Sequence, residues 1–154
     1  MKIENLYQEI ILDHCKYPHN FGLRDPFFTE VNHINSTCGD EVILRVMLSN
    51  NYKIVLDISY QIKGCSISKA STSVLTDQAI GKSVKYGIKV VDSFTEMISS
   101  RNNIEGDENI IGDGIAFAGV AKYPARIKCA LLSWIAFKTA LKNIVINNNT
   151  AIKI

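Results

Sequence analysis

Near the start of the chain, Ile3, Leu6, Tyr7, Ile10 and Ile11 recur at three- and four-residue spacing, with His14 on the same stripe and acids between. The spacing predicts an amphipathic helix over residues 3–15, stopped by Tyr17-Pro18 because a residue before proline is pushed out of the helical region. Pro18 to Pro26 is rich in breakers and reads as a loop, and Phe27 to Val31 has strand composition. From Glu41 to Leu48 the pattern alternates, with Val42, Leu44, Val46 and Leu48 on one side. A polar Ser49-Asn50-Asn51 turn follows, and then Ile54, Leu56, Ile58, Tyr60 and Ile62 face one way while Asp57, Ser59 and Gln61 face the other. A period of two on both segments predicts an antiparallel hairpin with one face in water.

Beyond Gly64 the period changes. Ile67, Ala70, Ser71, Val74, Leu75 and Ala79 predict a helix from near Cys65 to near Gly81. Ser83 is placed to cap another, with Val84, Ile88, Val91, Phe94 and Ile98 as its apolar stripe. A polar surface loop follows, and Gly112 to Gly119 reads as a turn-rich connection. It offers glycines as a phosphate loop would, but lacks the strand, helix entry and lysine of one. Pro124 suits a first helical turn, and Ile127, Ala130, Leu131, Trp134, Ile135 and Leu141 continue as a helix packed on the sheet. The expected fold is α+β, with about three antiparallel strands and helices on one face. Residues 1–141 form one domain in this reading, and 142–154 a polar, asparagine-rich tail that is weakly ordered or weakly strand-like.

Composition narrows the class of function. The 154 residues are 47% hydrophobic and 21% charged, which excludes a disordered chain. Seventeen Lys plus Arg against fifteen Asp plus Glu leave a charge of +2, so no nucleic-acid partner is expected. No apolar run is long enough to span a bilayer, and Glu4, Glu9 and Asp13 interrupt what a signal peptide would keep apolar, so a cytoplasmic location without a membrane is expected. Four cysteines are too few for a disulfide scaffold and point to thiol or metal chemistry.

Three of them fall at element ends: Cys38 between two strands, Cys65 at a strand-to-helix junction, and Cys129 in the first turns of the last helix. A thiol at a helix N-terminus feels the positive end of the macrodipole, which favours thiolate. Gly39 permits a tight turn that lets the Cys38 sulfur and the Asp40 carboxylate face one centre, and Arg126 and Lys128 flank Cys129 with positive charge. Three thiolates and a carboxylate suit tetrahedral Zn²⁺, or ferrous iron. Residue types and spacing alone equally allow three buried, unligated thiols. Cys15 has no cysteine near it in sequence and reads as a packing residue. His14 reads as a hydrogen-bonded structural histidine, and neither His19 nor His33 enters the metal set. Trp134 reads as core, and the absence of a Cys-x-x-Cys pair speaks against a thiol-disulfide oxidoreductase.

Leu6-Tyr7 through Asp13-His14, Pro18-x-Asn20, Thr37-Cys38-Gly39-Asp40, Gly64-Cys65-Ser66-Ile67-Ser68, Ala70-Ser71-Thr72-Ser73, Thr76-Asp77, Gly81-Lys82 and Tyr123 to Ala130 stand in one register. Together they resemble the U-type iron-sulfur cluster assembly proteins, the family that includes IscU, the N-terminal domain of NifU and SufU. The added stretch around residues 92–120 and Lys128 beside Cys129 resemble the SufU branch. Cys15 and His19 depart from it, standing where tyrosine and arginine are usual. The resemblance implies zinc on Cys38, Asp40, Cys65 and Cys129 at one end of the sheet. It also implies persulfide sulfur accepted by Cys38 from a pyridoxal-phosphate cysteine desulfurase of SufS type, with downstream cluster-assembly proteins as further partners. The alternative within the family is a scaffold whose same cysteines hold iron or a nascent iron-sulfur cluster.

Overall fold

The computed structural model describes residues 2–100 and 103–148. Its sheet is three antiparallel strands in the order β1-β2-β3: β1 (Thr29–Asn35), β2 (Asp40–Leu48) and β3 (Val55–Lys63). Around it lie α1 (Ile3–Lys16), α2 (Ser66–Ala79), α3 (Val84–Ser99), a single turn α4 (Glu108–Ile111), a 3-10 helix (Gly112–Lys122) and α5 (Pro124–Asn148). Val42, Leu44, Val46 and Leu48 face the core, as the alternation predicts, and α5 packs on β1 and β2 while α2 packs on β3. Among the described residues no helix is long and apolar enough to cross a membrane.

Four expectations need correction. The first strand lies later than Phe27–Val31: it runs from Thr29 to Asn35, because Val31 and Asn35 alternate onto the core face opposite Leu44 and Asp40. Phe27 instead lies under the Arg45 guanidinium, 4.3 Å from the ring centre. The inward set of β3 is also not continuous. Val46 pairs with Ile58 and Met47 with Asp57, but Leu48 pairs with Val55, so the register slips by one residue. That bulge turns Val55 inward and leaves Leu56 exposed, because one extra residue reverses the faces on either side of it.

The glycine-rich connection is helical. Ile111, Gly114, Phe117 and Val120 are all buried, a spacing of three that aligns side chains on a 3-10 helix. Gly114 lets it approach the ring of Phe94, which a Cβ would meet at 3.2 Å. The last helix, finally, does not end near Leu141 but continues through Asn148. Ile144 follows Leu141 by three residues, extends the apolar stripe and is 1% exposed. Residues 149–154 of the expected tail lie outside the described residues.

The loop from Pro18 to Pro26 runs along the outer edge of β3, where the Gly22 N–H donates to the Tyr60 carbonyl at 2.8 Å. Arg24 then folds over the strand, holding Asp57 with two hydrogen bonds of 3.0 and 2.6 Å. Its backbone N–H donates to Ser59 Oγ at 3.0 Å, so Ser59 is buried on the face expected to be wet.

Candidate metal and sulfur site

The antiparallel register collects the candidate residues at one end of the sheet. Asn35 and Asp40 are the last pair of the β1–β2 hairpin, so Ser36 to Gly39 form its tip. Two hydrogen bonds shape the tip: Gly39 N–H to the Asn35 carbonyl at 2.7 Å, and Thr37 N–H to Asn35 Oδ1 at 3.1 Å. Gly39 adopts φ +76°, where a glycine carries no Cβ penalty. On the other side of β2, Glu41 pairs with Lys63, which sets Gly64 beside Asp40. A Cβ on Gly64 would lie 2.7 Å from Asp40 Cγ, so this glycine makes the room that the carboxylate occupies. Cys65 follows as the N-cap of α2, and Cys129 comes in from α5.

The sulfurs of Cys38 and Cys129 are 3.5 Å apart, and together with a carboxylate oxygen of Asp40 they lie within 4.8 Å of one another. Cys65 is not within that distance of all three, but its sulfur lies 3.7 Å from Asp40 Oδ2. Cys38 is exposed, Cys129 is buried and Cys65 is between. The donor set fits a borderline-soft divalent ion: three thiols that bind as thiolates and one oxygen, from three separate elements, with one member open to solvent. Cys15 packs half-buried against the core and belongs to neither cluster of candidate ligands found among the described residues.

Burial pushes the Asp40 carboxyl up, but hydrogen bonds from Ser68 and from the thiols of Cys129, Cys38 and Cys65 more than offset this, and it sits below its ordinary value. Burial likewise raises the Cys65 thiol. Hydrogen bonding to the Ser68 side chain and backbone and to Cys129 outweighs that, against the opposing charge of Asp40, so Cys65 is net lowered. Cys129 moves the other way, raised first by burial and then by its hydrogen-bonded neighbours Cys38 and Asp40.

Ser68 and Gly64 escape a reading for metal chemistry. Ser68 is buried, donates to Asp40 Oδ2 and lies 3.5 Å from the Cys65 sulfur. The signal for it is positional: Cys65 is the N-cap, and Ser68 stands three residues on, where capping boxes place a polar partner. Lys128 reaches back from α5 to Thr37 Oγ1 at 3.5 Å, beside Cys38. Arg126 is exposed, and among the described residues its guanidinium makes no hydrogen bond or ion pair.

A three-stranded sheet with helices on one face, with clustered thiols and a carboxylate at its end, defines a small α+β protein with a candidate metal and sulfur site. The chain belongs to the NifU-like N terminal domain family, which it matches over residues 6–130. It is 40% identical to the iron-sulfur cluster assembly scaffold protein IscU of Streptococcus pyogenes serotype M1, over 92% of this chain and 86% of that one. It is also 40% identical to the zinc-dependent sulfurtransferase SufU of Bacillus subtilis, over 88% and 89%. The crystal structure of a SUF-system cluster assembly scaffold protein from Fervidobacterium islandicum AW-1 superposes with TM-score 0.78 at 33% identity, covering 86% of this chain and 94% of that one.

Proposed function

We propose that this protein serves iron-sulfur cluster assembly by accepting persulfide sulfur on Cys38 from a pyridoxal-phosphate cysteine desulfurase, and that Cys38, Asp40, Cys65 and Cys129 hold one Zn²⁺. The observation that carries the reading is the exposure of Cys38 at a hairpin tip, within 3.5 Å of the buried Cys129 sulfur. The SufU relative supports zinc and sulfur transfer, and the IscU relative supports the assembly process. Bound zinc would keep its cysteines deprotonated and hold them in place. The transfer itself is a thiolate exchange. The Cys38 sulfur attacks the outer sulfur of the desulfurase persulfide, a new S–S bond forms on Cys38, and the old one breaks to return the desulfurase thiolate. No external oxidant or reductant enters. Lys128 and Thr37 steady the loop that carries the nucleophile, and Ser68 holds Asp40. The reading places the reaction in the cytoplasm, whose reducing pool keeps the four cysteines unbridged, with downstream cluster-assembly proteins as recipients.

The second reading, favoured by the relatives named as scaffolds, is that the same ligands hold iron or a growing cluster. Metal analysis of anaerobically purified protein, paired with desulfurase turnover, separates the two. Sulfur acceptance predicts stoichiometric zinc and a desulfurase stimulated by wild type but not by Cys38→Ser. Iron with labile sulfide, and a desulfurase indifferent to wild type, would establish the scaffold instead.

A further inference from the structure

A second group of metal-ligand side chains lies at the other end of α2. His14 from α1, His19 from the loop after it and Asp77 from α2 each bring a donor atom within 4.8 Å of the other two. His19 Nδ1 is 2.5 Å from Asp77 Oδ2, and the two imidazole rings are 4.7 Å apart between centres. About 14 Å of helix axis separates Ser68, at the thiol site, from Asp77, so the two groups share no ligand.

The members differ in a way that suits a binding site. His14 is buried and fixed: Nε2 is 2.8 Å from Asp113 Oδ2, and Nδ1 is 2.8 Å from Ser73 Oγ. As a carboxylate Asp113 only accepts, so Nε2 carries the hydrogen, and the Nδ1 lone pair accepts from the Ser73 hydroxyl, a hydrogen bond that an incoming ion would have to replace. A carboxylate behind the non-ligating nitrogen is the usual partner of a metal-bound histidine, setting its tautomer and strengthening it as a donor. Ser73 Oγ also accepts from the His19 N–H at 2.8 Å, which ties the loop carrying the second imidazole to the first. The His19 and Asp77 side chains are 45% and 33% exposed, free to close on an ion and open to water for its remaining positions. A tetrahedral shell with bonds near 2.0–2.1 Å needs donors about 3.3 Å apart, a small adjustment for two surface side chains.

We propose that His14, His19 and Asp77 form a second site for a borderline divalent transition ion, Zn²⁺ or Fe²⁺, with Asp113 positioning His14. Two imidazoles and one carboxylate select such ions over Mg²⁺ and Ca²⁺, which prefer all-oxygen shells. The site is independent of the sulfur-transfer reading and stands or falls without it. Equilibrium dialysis of the full chain against Zn²⁺, and anaerobically against Fe²⁺, tests it. Wild type should hold one more equivalent of at least one ion than His19→Ala or Asp77→Asn, whose changes lie on exposed side chains and spare the fold. Asp113→Asn should weaken that equivalent about 10–100-fold. Co²⁺ added to Cys65→Ser should still give a nitrogen- and oxygen-ligated visible spectrum, and His19→Ala should abolish it. Equal binding of both ions by wild type and both variants would overturn the proposal, and so would a Co²⁺ spectrum that His19→Ala leaves unchanged.

Discussion

At Gly64 a missing methyl group decides where a carboxylate can stand. The space a Cβ would fill is taken by Asp40, which is itself 5% exposed. Gly64→Ala should therefore push the carboxylate off its place and lower zinc affinity by about 10–100-fold, the range seen when support around a ligand is lost. Competition with a chromophoric chelator measures it, and unchanged affinity would remove Asp40 from the ligand set. The thiols give a second expectation. Hydrogen bonding holds Cys65 below the ordinary thiol value and burial raises Cys129. A lowered value keeps thiolate to lower pH, so alkylation of metal-free protein near pH 7 should label Cys65 well before Cys129. Peptide mapping reads the order, and Cys129 labelled first would contradict it. The sequence marks Cys38, Asp40, Cys65 and Cys129 by residue type and by position at element ends. It marks Ser68 only by position three residues after the N-cap, and does not mark the packing between Gly64 and Asp40, which depends on a cross-strand register that exists only once β2 and β3 pair.

Among the elements, α2 buries hydroxyls beside its apolar residues Ala70, Val74, Leu75 and Ala79. Ser68, Ser71, Thr72, Ser73 and Thr76 are all inside, and each is hydrogen-bonded. Ser71 Oγ accepts from Trp134 Nε1 at 2.7 Å and donates to the Ala130 carbonyl at 2.6 Å, fastening α2 to α5. Ser71→Ala should leave the indole N–H buried without an acceptor and cost about 1–3 kcal/mol. Urea unfolding followed by the single tryptophan should show a lower midpoint at unchanged slope. At the other end of α5, Ile144→Ala should cost about 2–5 kcal/mol as a core truncation, whereas a tail residue would change stability by no more than about 0.5 kcal/mol. The long amphipathic helices were legible from their stripes. The 3-10 helix was hidden because its glycines read as turn residues, although Ile111, Gly114, Phe117 and Val120 carry its period of three. The end of α5 was hidden by asparagines, which mask the one apolar step from Leu141 to Ile144.

For the molecule as a whole, the thiol site joins parts that the core holds separately: the β1–β2 tip, the start of α2 and the start of α5. Chelation should then lower the melting temperature without unfolding the domain, by about 2–4 °C for each kcal/mol of lost binding. Protein whose melting is indifferent to chelator would have no metal tying these elements together. Placement distinguishes the three thiols, since Cys65 and Cys129 belong to helices and Cys38 is exposed at a hairpin tip. The most direct test mixes a persulfidated cysteine desulfurase with this protein and locates the transferred sulfur by mass spectrometry of its peptides. The added sulfur is predicted on Cys38 and absent from Cys38→Ser protein; sulfur found mainly on Cys65, Cys129 or Cys15 would contradict the account.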